Sequence, residues 1–370
     1  MKVEDIINIL VKEELLFLTG VPCSYLKDFL AYINTQQNPL QHVIASSEGE
    51  AIGIAAGYHL ATNKVPIIYL QNSGFGNTVN PLTSLMDQEA YSIPAVLFLT
   101  WRGEPGTKDE PQHKKMGRIM LDLLKTLEIP YLFASNKTEE TNNSLRELKK
   151  IAIKEQKPVA LIFRPNLIEK VNYEPTAIGN SLMTREQILE TLLPKIGNYP
   201  LATTTGKTSR EIFELREKFH QPHQFDFLTV GSMGCASGIG LGIALQTKEK
   251  VFVIDGDGAV LMKMGTLATI GYHNQAKLIH IIIDNGSYES TGGQPTTSVT
   301  LKWQQLLKSV GYKKIVNIKT KQQLKKLTFE NNSYPLGVII YSQPGARKNL
   351  GRPTSTPIEN KKEFMKFLLK

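Results

Sequence analysis

The sequence predicts an α/β protein built from two doubly wound parallel-sheet domains, and three observations predict it. Two short apolar, β-branched runs, Val251–Ile254 and Leu278–Ile283, are separated by one helix's worth of chain and read as buried parallel strands. Each run stops at a polar tip, Asp255-Gly256-Asp257-Gly258 and Asp284-Asn285-Gly286-Ser287. The two halves of the chain also end alike, in KPVALIFRP and YPLGVIIYSQP, as two copies of one architecture would.

In the first half, helices and strands alternate. Val3–Leu16 has the apolar spacing of an amphipathic helix, and Phe17–Leu18 opens a short strand into a turn at Pro22. Ser24 is expected to cap a helix through Tyr32. A strand at Val43–Ala45 precedes a helix from Glu48 to Leu60, and Pro66–Leu70 and Pro94–Thr100 read as strands. A polar loop is expected from Trp101 to about Met116, then a helix to Leu127, with a strand at Pro158–Phe163 closing the half.

The first domain is placed at residues 1–166, a linker at 167–183 and the second domain at 184–370. Residues 166–183 have no clear period and contain Pro175 and Gly179. The second half opens with a capping box at Thr184–Gln187, heading a helix to Leu193. Strands follow near Pro200–Thr203, at the two runs already named, and at Leu336–Tyr341.

A chain of 370 residues can bury two cores of ordinary size. Two cysteines, Cys23 and Cys235, give no disulfide framework or zinc cluster. The charged N-terminus breaks any signal-peptide core, and no run approaches the ~20 apolar residues of a spanning helix. A cytoplasmic protein without a membrane partner is expected. The formal charge of +9 comes from 43 basic and 34 acidic residues, with lysines crowded at 302–326 and in the tail. These lysines are not interleaved with aromatic residues as a nucleic-acid surface would require, so no nucleic-acid partner is expected. They read as a solvated surface, with steering of a multiply charged anion as the functional alternative.

The polar tips carry the first chemical signal. Parallel strands joined by a helical crossover put both tips on one sheet edge. Magnesium takes hard oxygen ligands, usually one or two carboxylates with phosphate oxygens and water. Asp257 offers a carboxylate, Asn285 an amide oxygen and Ser287 a main-chain carbonyl. Gly256 and Gly258 allow a diphosphate to approach the backbone, and the helix that follows, from Ala259 on, aims its positive end at the anion.

Gly-Asp-Gly, 25 intervening residues and Asp-Asn resembles the cofactor motif of the thiamine diphosphate enzymes. Asp284 stands where the first Asn is commonest; the metal-binding Asn is present as Asn285. The first half carries a second match. In ASSEGEAIGIAAGYHLA, Glu48 precedes small apolar residues and a Gly-Tyr ending at Tyr58, as in the pyruvate decarboxylase group. The resemblance implies that Glu48 hydrogen-bonds the pyrimidine ring. Burial favours the neutral form of a carboxyl group, and a neutral acid can donate to a ring nitrogen. It further implies a pyrimidine-side loop at Asn72–Gly76 with Asn80, in which Gly74 and Gly76 approach the cofactor. Gly206 and Lys207 fall in the diphosphate-side loop. Met233 is the apolar prop that bends the cofactor, and the Gly231 carbonyl accepts from the 4′-amino group.

The chain has no room for the third domain of the larger decarboxylases. GFGNTVNPLTSL, WRGEPGTKDEPQH, TTGKTSRE, FLTVGSMG, GDGAVLMKMG and TGGQPTTS resemble the two-domain decarboxylases of phosphonopyruvate, to which the sulfopyruvate decarboxylases are related. The resemblance implies magnesium- and thiamine diphosphate-dependent decarboxylation of 3-phosphonopyruvate in phosphonate biosynthesis, with 3-sulfopyruvate as the alternative substrate. It also implies a homodimer or higher homo-oligomer whose active sites are shared between subunits. A small anionic 2-oxo acid needs several cations and donors. Arg102 is expected to clamp its oxygens in bidentate fashion, Lys108 to add charge, and His113 to transfer a proton or hold the anion; Asp109 and Glu110 can pair with the same cations. Related enzymes often carry an acid near Cys23, and histidines where Cys235 and Tyr288 stand.

Other readings fit less well. Gly238-Ile239-Gly240-Leu241-Gly242 imitates a dinucleotide fingerprint but has Ile243 where the third glycine belongs. A carboligase shares the cofactor chemistry. A non-catalytic subunit would lack either Glu48 or the Asp257/Asn285 pair.

Overall fold

The computed structural model describes residues 1–35, 37–171, 182–274, 276–330 and 333–370. The chain divides into two compact units, Met1–Pro175 with Thr291–Gln294, and Thr176–Ser290 with Pro295–Lys370. Of the expected linker, residues 172–181 lie outside the described residues. Residues 167–171 are fastened to the first unit: the Met1 ammonium donates to the Leu167 carbonyl at 2.8 Å and the Val171 N–H to Asp28 at 3.1 Å.

The first unit holds six parallel strands, β1 (Phe17–Gly20), β2 (Gln41–Ile44), β3 (Ile67–Gln71), β4 (Ala95–Thr100), β5 (Tyr131–Phe133) and β6 (Pro158–Phe163), in the order β2-β1-β3-β4-β6-β5. The strands are apolar on both faces because helices cover both. Val96 and Phe98 join the core that contains Ile6 and Leu10, whereas Ala95, Leu97 and Leu99 join the one that contains Ile52, Ala55 and Met120.

The second unit repeats the plan. Its strands β7 (Leu201–Thr203), β8 (Asp226–Leu228), β9 (Val251–Gly256), β10 (Leu278–Asp284), β11 (Lys314–Ile318) and β12 (Leu336–Tyr341) run in the order β11-β12-β10-β9-β7-β8. Read from the β8 edge, that is the order of the first unit, strand for strand. The α/β, two-sheet expectation therefore holds, and the likeness of the two strand endings reflects a shared topology.

Several elements differ from expectation. The helix expected after Met116 begins at Pro111, because proline is pre-shaped for the first helical position and Glu110 before it is extended. The helix expected from Ser24 begins at Lys27. Asn72–Phe75 is a helical turn rather than an open loop, continued by short helical turns to Met86. The helices Thr138–Glu155 and Lys207–Lys218 and strands β5, β8 and β11 were not anticipated. The Thr184 capping box forms as expected.

Candidate active site

In the second unit the two polar tips meet. Strands β9 and β10 are parallel neighbours with Ile283 opposite Gly256, so Asp257 and Asn285 both follow the C-terminal ends of adjoining strands. Asp257 is buried and starts the helix Asp257–Met262. Its carboxyl accepts from the Thr296 hydroxyl at 2.5 Å. Burial, then the charge of Asp284, pushes its pKa up to about 7. The Asn285 side-chain oxygen accepts from the Ser287 N–H at 3.0 Å, which folds the loop.

Asp284 serves the scaffold. It accepts from the Ser298 hydroxyl at 2.7 Å, the Trp303 indole N–H at 2.7 Å and the Gly286 N–H at 3.1 Å. Both carboxylate oxygens therefore act as acceptors, a role an aspartate fills and an asparagine, whose NH2 end only donates, would fill in part.

The remaining expected diphosphate-side residues lie in the same unit. Gly206 (φ +93°) and Gly231 (φ +69°) both adopt the left-handed region. The Gly231 N–H donates to the Thr205 hydroxyl at 2.9 Å, which joins the two loops, and Lys207 begins a helix directly after Gly206. Gly256 is open on the side a Cβ would occupy. At Gly258 a Cβ would lie 2.7 Å from the Tyr288 ring and 3.4 Å from the Met233 methyl. Met233 and Tyr288 thus flank Gly258, and Ala259 is buried behind it. Among the described residues no group of three or more His, Cys, Asp or Glu side chains could hold a metal. The donor set is instead one carboxylate, one carboxamide and main-chain carbonyls, all hard oxygens. A buried carboxyl beside a second acid has an unmet need for a cation, so these residues fit a magnesium diphosphate.

Buried in the same unit, Arg185 ties the helix Lys207–Lys218 to the segment that follows Asn285. It grips Glu211 at 2.7 and 2.8 Å and also pairs with Glu289, two residues beyond Ser287.

In the first unit, Glu48 is the first residue of the helix Glu48–Thr62, capped by Ser47. It is buried, and its Oε2 accepts from the Asn77 amide at 3.0 Å. A Cβ at Gly74 would lie 2.1 Å from Glu48 Oε1. Gly76 and Asn80 are exposed. Glu50 turns away, accepting from the Ser46 N–H at 2.8 Å.

The expected anion clamp is built differently. The Arg102 fork closes on Asp109 at 2.8 and 2.5 Å, a third bond goes to the Ser24 hydroxyl at 3.0 Å, and the guanidinium lies over Tyr25. Its bidentate face is occupied, so the bidentate grip on substrate oxygens is not formed here. Burial would raise the Asp109 pKa, but Arg102 and the N–H groups of Glu110 and Gly103 outweigh it and hold the carboxyl well below its usual range. Asn72, which sequence reasoning had placed only in the pyrimidine-side loop, donates to the Arg102 carbonyl at 2.8 Å and accepts its N–H at 3.1 Å. His113 is buried, and burial together with the Arg102 charge lowers its pKa, so its ring is neutral. His113 Nδ1 has no partner among the described residues. Lys108, Lys114, Lys115 and Arg118 are exposed.

Two family models match. Residues 2–122 match the N-terminal TPP-binding domain of thiamine pyrophosphate enzymes, and residues 204–329 match the C-terminal TPP-binding domain. The chain is 34% identical to a phosphonopyruvate decarboxylase of Streptomyces viridochromogenes, across 95% of this chain and 91% of that protein. It is 32% identical to one from Streptomyces hygroscopicus, across 95% and 90%. A sulfopyruvate decarboxylase of Methanosarcina acetivorans is 27% identical, across 80% and 79%.

Proposed function

The chain belongs to the thiamine pyrophosphate-dependent decarboxylases, in the family of the phosphonopyruvate decarboxylases, and from that premise we propose that it converts 3-phosphonopyruvate to phosphonoacetaldehyde and carbon dioxide. One observation supports this reading most: each unit presents, at its own site, the buried group that one end of the cofactor requires. Glu48 serves the pyrimidine and Asp257 with Asn285 serves the diphosphate.

Asp257, Asn285 and the Ser287 carbonyl would hold Mg2+, while Gly206, Lys207, Gly256, Gly258 and Ala259 would receive the diphosphate. Met233 would prop the cofactor beside Gly258, and the Gly231 carbonyl would accept a hydrogen bond from its 4′-amino group. Glu48, enclosed and held by the Asn77 amide, would hydrogen-bond the nitrogen of the pyrimidine ring. When bound, thiamine diphosphate supplies an electron sink for the pair released as the carboxylate bond breaks. The carbon that loses carbon dioxide takes up one proton in its place, which balances the reaction. His113, neutral and enclosed, is placed to manage that proton transfer. Arg102, fixed by Asp109 and Asn72, holds the substrate-side loop in shape and offers its remaining N–H groups, and Lys108 supplies charge from the surface. A homo-oligomer acting in the cytoplasm, in phosphonate biosynthesis, completes the proposal.

The sulfopyruvate decarboxylase relative makes 3-sulfopyruvate the rival substrate. Carbon dioxide release from the two acids, compared under identical cofactor and magnesium, decides between them. Faster turnover of the sulfonate would reverse the assignment, and turnover of neither would remove it.

A further inference from the structure

Gln294 belongs with the first unit and is 2% exposed, yet neither its Nε2 nor its Oε1 has a hydrogen-bond partner among the described residues. Buried carboxamides are almost always paired, and each unmet atom is costly. Leaving both ends of one amide unpaired points to a ligand that carries both a donor and an acceptor. The surroundings narrow the choice. A Cβ at Gly292 would lie 2.9 Å from Lys27 Cβ, and the turn just before Lys27 supplies Ser24 and Tyr25 to Arg102. In the same unit, Gln112 Oε1 and His113 Nδ1 are also buried and unpartnered. Because Asp109 neutralises Arg102, the buried polar groups of this unit offer directed hydrogen bonds more than free positive charge.

We propose that Gln294 reads the second anionic group of the substrate: Nε2 donates to a phosphonate oxygen, and Oε1 accepts from the P–OH of the phosphonate monoanion. A sulfonate has acceptor oxygens only, so it satisfies Nε2 and leaves Oε1 buried and unpaired. Gln294 is thereby the residue that separates phosphonate from sulfonate. The assignment holds whichever way the amide is flipped, since either orientation presents one donor end and one acceptor end. It rests on the decarboxylase reading above and adds the origin of its selectivity.

The test is binding, which does not require turnover. Enzyme loaded with thiamine diphosphate and Mg2+ is titrated calorimetrically with 3-phosphonopropionate and with 3-sulfopropionate, in the native protein and in Gln294→Met. Methionine keeps the volume and removes both polar ends. The native protein is expected to prefer the phosphonate by about tenfold or more, and Q294M to bring the two affinities together while unfolding at the same temperature or higher. An unchanged preference in Q294M, no preference or no binding in the native protein, or equal weakening of both probes with a lowered unfolding temperature would each overturn the assignment. Failure of the native enzyme to decarboxylate either keto acid would count against the proposed reaction and leave the binding result to stand by itself.

Discussion

Glu48 and Gly74 exclude each other: the space a Cβ on Gly74 would need is filled by the Glu48 carboxyl, whose Oε1 lies 2.1 Å from that point. The glycine at position 74 therefore fixes where an acid on a different element can stand. The loop glycine and the helix glutamate are one device.

Gly74→Ala should therefore damage catalysis far more than folding. The methyl group meets the movable end of a side chain, so the stability cost should stay near ~1–2 kcal/mol. The carboxyl must move, and displacing a reacting group by about 1 Å costs on the order of 100-fold in rate. Carbon dioxide release together with chemical unfolding checks both halves. Glu48→Gln, which replaces the carboxyl with an amide of the same size, should match or exceed that loss of rate at saturating cofactor.

Asp257→Asn preserves shape but removes the charge that attracts the metal. Magnesium-dependent binding of thiamine diphosphate, followed by calorimetry, should fall below detection. The cofactor-free variant should unfold at an equal or higher temperature, because a buried acid next to Asp284 has been neutralised. Native-like cofactor affinity in this variant would remove Asp257 from the metal site.

Arg185→Gln leaves Glu211 and Glu289 buried without their cation. Breaking such a cluster costs roughly 3–5 kcal/mol. Urea unfolding should show this loss, and the residual folded enzyme should need more thiamine diphosphate for half-maximal activity, since Glu289 ends the loop that carries Ser287.

His42 gives a pH dependence unrelated to catalysis. Its ring bonds Asn34 and the Tyr69 hydroxyl, and burial lowers its pKa to about 4. Between about pH 4 and 6.5 the unfolded chain binds a proton there that the folded chain does not. Stability supplied by the neutral ring is therefore complete above pH 6.5 and lost as pH falls toward 4. Thermal unfolding temperatures of His42→Gln should decline less steeply across that window than those of the native protein.

The parts of the fold legible in the sequence are those written in short-range pattern. Buried parallel strands show as β-branched runs, so β9 and β10 and the adjacency of Asp257 and Asn285 could be read directly. Pro111 offered a legible helix start that the polar composition around it obscured. The partners that complete the site were not legible. Asp109 lies seven residues from Arg102 in an irregular loop, where no periodicity says which way a side chain turns. Thr296, Ser298 and Trp303 reach Asp257 and Asp284 only through the fold of a segment with short, irregular elements. Gln294 could not be singled out, because an unpaired amide is a property of packing and leaves no mark in composition.

The bond between the Trp303 indole and Asp284 has a practical consequence. Trp303 is one of two tryptophans in the chain, and its ring is tethered to the residue just before Asn285. Any filling or emptying of the metal loop must shift the electric field on that ring. With Trp101 replaced by Phe, the protein's own ultraviolet emission becomes a native gauge of cofactor loading, with no dye and no substrate.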